Sequence, residues 1–140
     1  MKKYLITMVL IMAGCSFVYA EEIMSAKFVE ALAVCSPYSA SGQVNTEGLN
    51  VNSQKRVLGK KDGKCVYEEK VSFAENNLTI TCRFSKEQLD ELASVTKAYL
   101  LVQSYSKEQV DTSSLSSVEN NPVVKVWGKY MQDTSVCEIK

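Results

Sequence analysis

The sequence predicts an α+β domain with an N-terminal helix, a three-stranded antiparallel meander, a second helix and a short C-terminal edge strand, stapled by two disulfides. Three observations carry this expectation. Apolar residues from Met24 to Cys35 recur at three- and four-residue spacing, the period of a helix face. Between Leu49 and Phe84 the period falls to two and is interrupted by tight-turn residues. Ser85-Lys86-Glu87-Gln88 is a capping box that opens a second helical stretch.

A leader precedes the domain. Met1 to Ala20 reads MKKYLITMVLIMAGCSFVYA, with two lysines, an uncharged apolar run and small residues at Val18 and Ala20. That is the layout of a bacterial-type secretory signal cleaved before Glu21, leaving residues 21–140 as a single domain. The alternative is a lipobox, Met12-Ala13-Gly14-Cys15, in which Cys15 carries a lipid anchor. Apolar character continues past Cys15 to Ala20, which favours cleavage there over an envelope lipoprotein. Tyr4 to Ala20 is short for a bilayer span, and no transmembrane segment is expected after cleavage.

The first helix is expected over Glu21 to Cys35, with Met24, Phe28, Ala31, Leu32 and Cys35 on one stripe. Pro37 ends it, because the residue before a proline is driven out of the helical region. Ser36 to Glu47 is polar and is expected to be a loop. A strand from Leu49 to Lys60 then meets Lys61-Asp62-Gly63-Lys64. Asp-Gly supplies the two positive-φ positions of a type I′ hairpin turn. A two-residue turn there sets Lys60 opposite Cys65, Leu58 opposite Tyr67 and Arg56 opposite Glu69.

Along the next strand Cys65, Tyr67, Val71 and Phe73 share a face, with Glu69 as the exception. Asn76-Asn77 is expected to form a second tight turn. Leu78, Ile80, Cys82 and Phe84 then form the inner face of a third strand. That apolar face needs a cover, so both helices are placed on it. The second helix is expected to reach about Ser104. The Ser-Lys-Glu-Gln string recurs at Ser106 to Gln109 as a second helix-start signal. Asp111 to Asn121 is expected to be a loop. Pro122 opens a short edge strand over Val123 to Trp127. Cys137 falls in a polar tail that only a disulfide would hold down.

Composition excludes several function classes. The chain balances 16 Lys and Arg against 16 Asp and Glu, and loses Lys2 and Lys3 with the leader, so no basic excess draws nucleic acid. It has no histidine, which removes the usual general base and the commonest zinc and copper ligand. No cofactor is expected. Cys35, Cys65, Cys82 and Cys137 remain after the leader, an even number in an exported chain. They lack the C-x-x-C spacing of a zinc site or redox pair, which favours structural disulfides.

Four cysteines allow three pairings. With both turns at two residues, Cys82 lies opposite Val71, and Cys65 is six residues further along that strand. At about 3.3 Å per residue the gap is near 20 Å, against the roughly 7 Å limit between Cα atoms of a disulfide. Two pairings survive: Cys35–Cys82 with Cys65–Cys137, or Cys35–Cys65 with Cys82–Cys137. The first is preferred, because Cys82 lies mid-strand under a helix.

No motif assigns a reaction. Glu68 and Glu69 project to opposite faces. Glu87, Asp90 and Glu91 complement a helix dipole. Lys60, Lys61 and Lys64 crowd a hairpin tip, as solvated turn residues or an anion contact. Trp127, if exposed on an edge strand, is the candidate contact surface. The expected function is therefore an exported binding or interaction module of the bacterial envelope, periplasmic or secreted, whose partner is a protein or another envelope component. The alternative is a histidine-free, carboxylate-based hydrolase of envelope glycans.

Overall fold

A computed structural model describes residues 25–46, 48–106 and 122–140. The leader, Cys15 within it, the expected helix start over residues 21–24, the second Ser-Lys-Glu-Gln string beyond Ser106 and the expected loop before Pro122 lie outside these residues. The elements run α1 (Ala26–Val34), β1 (Tyr38–Thr46), β2 (Leu49–Lys61), β3 (Lys64–Phe73), β4 (Asn76–Phe84), α2 (Lys86–Ser106), α3 (Pro122–Gln132) and β5 (Cys137–Ile139). The strands form one antiparallel sheet in the order β1-β2-β3-β4-β5. The fold is α+β with two disulfides, as expected. Its sheet has five strands, two more than the meander, and its last helix stands where an edge strand was expected.

The expected capping box at Ser85 is met, while α1 starts at Ser25 and not at Glu21 as expected. Ser25 accepts from the Phe28 amide at 3.2 Å and starts α1. Ser85 and Gln88 exchange hydrogen bonds at 3.3 and 2.9 Å and start α2. Cys35 closes α1 in the left-handed conformation, with the Ser36 amide donating back to the Ala31 carbonyl at 2.8 Å. At the β2–β3 turn Asp62 and Gly63 both take positive φ, as a type I′ turn requires.

The expected register needs two corrections. Lys60 does face Cys65, but Leu58 is bulged out, so Val57 faces Tyr67, Arg56 faces Glu68 and Lys55 faces Glu69. Gly59, at φ +103°, supplies the backbone conformation that the irregularity needs. The second turn is Ala74-Glu75, and Asn76 and Asn77 are paired strand residues. That sets Cys82 opposite Tyr67, not Val71. The shift is even, so Ile80, Cys82 and Phe84 keep the core face.

Two elements differ from expectation. Tyr38–Thr46, expected as loop, is a nine-residue strand paired along its length with β2. Val123–Trp127, expected as an edge strand, lies in α3. Val123, Trp127, Tyr130 and Met131 make an i, i+4, i+7, i+8 stripe, and all four are buried. Pro122 is tolerated there because a first-turn amide has no intrahelical partner.

The core lies between one sheet face and the helices. Tyr67, Ile80, Phe84, Phe28 and Leu92 are fully buried, and Val71 nearly so. Trp127 sits 5.3 Å from the Tyr67 ring and 6.1 Å from Phe84, ring centre to ring centre. Its indole N–H donates to the buried Thr96 hydroxyl at 3.2 Å, joining α3 to α2.

The disulfides are Cys35–Cys65 and Cys82–Cys137, with Cα separations of 5.7 and 4.1 Å. The preferred pairing of Cys35 with Cys82 is therefore replaced by the other survivor. The cap of α1 lies over the start of β3, and β5 brings Cys137 directly opposite Cys82. Cys65 and Cys82 are offset by only two residues across β3 and β4, not six. The polar tail is not free: Lys140 exchanges backbone hydrogen bonds with Thr79 at 2.9 Å.

Non-reducing peptide mapping is expected to yield Cys35–Cys65 and Cys82–Cys137 peptides alone. Replacing either pair with alanines should lower the urea-unfolding free energy by about 3–4 kcal/mol.

Candidate functional site

Because side chains alternate along each strand, the face turned away from the helices is a set of cross-strand rows. The register places Ser39, Arg56, Glu68 and Thr81 in one row. Ser41, Gln54, Lys70 and Thr79 form the next, and Gln43, Asn52, Ser72 and Asn77 a third. All are exposed or half-buried. Between β1 and β3 a concavity is lined mainly by Ser41, Gln43, Asn52, Gln54, Lys70 and Ser72. Such a surface presents hydrogen-bond donors and acceptors at strand spacing.

A charge cluster spans the first two rows. Arg56 donates to Glu68 at 2.6 Å, and Lys70 approaches the same oxygen at 3.8 Å. The Arg56 Nε is buried and has no hydrogen-bond partner. This cluster gives the polar rows a charged margin.

Directly behind, on the core face, lies a buried polar network. Lys55 and Glu69 form an ion pair at 3.1 Å, and both side chains are almost wholly inaccessible. Ser53 donates to the same Glu69 oxygen at 3.3 Å, and the Tyr67 hydroxyl donates to the other at 3.0 Å. Burial first, then the Glu69 charge and hydrogen bond, push the Tyr67 phenol well above its ordinary range. The two buried groups compensate each other, and the network ties β2 to β3.

The expected site residues fare differently. The four cysteines form the disulfides. Trp127 is only 5% exposed and is a core residue, so it offers no contact surface. Glu68 and Glu69 do lie on opposite faces. Glu91 receives hydrogen bonds from Tyr130 and Lys129, which hold its carboxyl below the usual range and tie α2 to α3 at the surface. Lys60, Lys61 and Lys64 stay exposed at the hairpin. Among the described residues no cluster of three or more acidic or cysteine side chains is placed to hold a metal.

The β1 half of the concavity comes from residues whose polar sequence predicts a loop and which form a strand instead. The signal for the buried pair was the break in alternation at Glu69. No protein-family model matches the chain, and no curated protein or solved structure does.

Two outcomes test the network. Glu69→Leu strands a buried ammonium and should cost about 3–5 kcal/mol, while adding Lys55→Met recovers most of the loss in urea unfolding. The raised phenol has the opposite pH sense to a lowered acid. Its stabilisation is complete below the ordinary tyrosine value of 10.0 and is lost as pH rises beyond it, since only the unfolded chain ionises there. Stability measured from pH 8 upward should fall above about pH 10, and less steeply in Tyr67→Phe.

Proposed function

We propose that this chain is an exported binding module of the bacterial envelope, which docks a protein or another envelope component on the open polar face of its sheet. The observation that carries the reading is the half-exposed ladder of amides and hydroxyls around the concavity, with Arg56, Glu68 and Lys70 at its margin. Flat or shallow polar surfaces of this kind bind by hydrogen bonding and leave little to enclose a reacting group. The leader argues for export, into the periplasm or beyond the cell. Two disulfides fit an oxidising compartment. Among the described residues no helix is long and apolar enough to cross a membrane.

The hydrolase alternative needs two carboxyl groups facing each other across a cleft. Among the residues lining the concavity there is no acid, so the binding reading is preferred.

The test is capture from native envelope fractions by the tagged chain recovered after export. Gln54→Ala/Lys70→Ala should weaken capture of the bound component about tenfold while leaving the melting temperature unchanged. Capture equal in both proteins would sink the reading, as would release of new reducing ends from envelope glycan. The mass of the recovered N-terminus separates cleavage before Glu21 from lipidation at Cys15.

A further inference from the structure

The sheet treats its two edges unequally. β5 is three residues long, carries Glu138, and is followed by Lys140, whose backbone is tied to Thr79. Short length and charge are the usual protection of an edge. β1 has neither. Its nine residues, Tyr-Ser-Ala-Ser-Gly-Gln-Val-Asn-Thr, include no charge and no proline, and its pairing with β2 runs without a register shift. One side of its backbone is satisfied by β2. On the other side, no described residue pairs with it, and a row of N–H and C=O groups faces outward.

We propose that two copies of this chain pair through β1, antiparallel about a two-fold axis at Gly42, to form one continuous ten-stranded sheet.

Self-pairing is favoured over a foreign strand for three reasons. An uncharged strand meets its own copy without like-charge repulsion, and it holds no charge pattern that would select another partner. A two-fold axis at Gly42 overlaps the whole of Tyr38–Thr46 with itself, so every outward backbone group gains a position opposite. That register also pairs residues of like face: Gly42 meets its counterpart, and Ser41 meets Gln43 of the second copy. Helices of both copies then lie on one side and the polar rows run unbroken across the other. Finally, the concavity reaches the edge itself, since Ser41, Gly42 and Gln43 line it. In the pair, two half-concavities join across the axis.

Sedimentation velocity of the exported, disulfide-intact chain over a range of concentrations tests this, with hydrogen–deuterium exchange read over residues 38–46. The wild type should be a dimer whose β1 amides become protected as concentration rises. Ser41→Lys/Gln43→Lys places like charges opposite each other on both sides of the axis and should weaken the dimer about tenfold or more. Ser41→Lys/Gln43→Glu places opposite charges there and should restore it. Unchanged melting temperatures and intact disulfides in both variants show that the fold is kept. A wild type that stays monomeric to about 100 μM would leave this edge to another protein's strand and overturn the proposal. So would a dimer indifferent to the lysine pair, or one that both variants dissociate alike.

Discussion

The structure turns on Tyr67. Its ring is fully buried and lies within 6.3 Å of Phe28 on α1, 6.2 Å of Phe84 on β4 and 5.3 Å of Trp127 on α3. Each such pair adds about 0.5–1.5 kcal/mol to what burial already contributes. Its hydroxyl reaches Glu69, two residues along the same face, and through Glu69 it holds Lys55. One side chain therefore joins the aromatic core to the buried Lys55–Glu69 ion pair. The disulfides flank it: Cys65 lies two residues before it, and Cys82 stands directly opposite. Loss of this residue would loosen two helices, two strands and a buried charge together.

A single bulged residue decides which chemistry each face carries. Leu58 is displaced outward and is 45% exposed, although it is a large apolar residue. In exchange Val57 enters the core, Lys55 follows it on that face, and Arg56 turns to the open side beside Glu68. Without the bulge Arg56 would lie in the core opposite Glu69 and the polar face would lose the cation that pairs with Glu68. The extra residue thus sorts two cations between two glutamates, one pair dry and one wet. The dry pair draws its strength from packing and shared hydrogen bonds, because desolvation offsets most of its Coulomb attraction.

What was legible in the sequence followed strong local chemistry. Asp62-Gly63 fixed the first hairpin, Ser85 and Gln88 marked the start of α2, and the even period of β3 and β4 identified the core face. The failures share a cause: side chains too weakly apolar, or too evenly apolar, to declare a period. In β1 the mid-strand core-side positions Ala40 and Gly42 are small, so alternation fades into a polar background. In α3 the run Val123-Val124-Lys125-Val126-Trp127 is rich in strand-forming residues, and helical period emerges only when Tyr130 and Met131 are included. Leu58-Gly59 was legible in principle, since an isolated glycine in a strand often marks a bulge. The polar face could not be assembled from sequence, because half of it depends on β1 and its rows depend on that bulge. Cysteine pairing failed for the same reason: elimination left the right survivor, but the choice between survivors needed the true register and β5.

The titrating groups place the domain's working range on either side of neutrality. With no histidine, no side chain of ordinary pKa changes charge between about pH 5 and 8. The shifted carboxyls move downward: Glu87 through a backbone amide and the Ser85 hydroxyl, Glu91 through Tyr130 and Lys129, and Asp133 through the Ser135 hydroxyl and amide. Their stabilisation is present above the ordinary carboxyl values and is lost as pH falls, and solvent keeps it small at these exposed sites. Tyr67 moves upward, so its contribution is lost only in alkali. The interior ion pair is shielded from solvent and from salt. Disulfides, a neutral working range without imidazole, and a core knotted at one aromatic residue together make a fold whose shape is set by geometry more than by solution conditions. Across that range the polar face keeps its amides, hydroxyls and the Arg56–Glu68 pair in one charge state, and the β1 edge carries no titrating side chain except Tyr38.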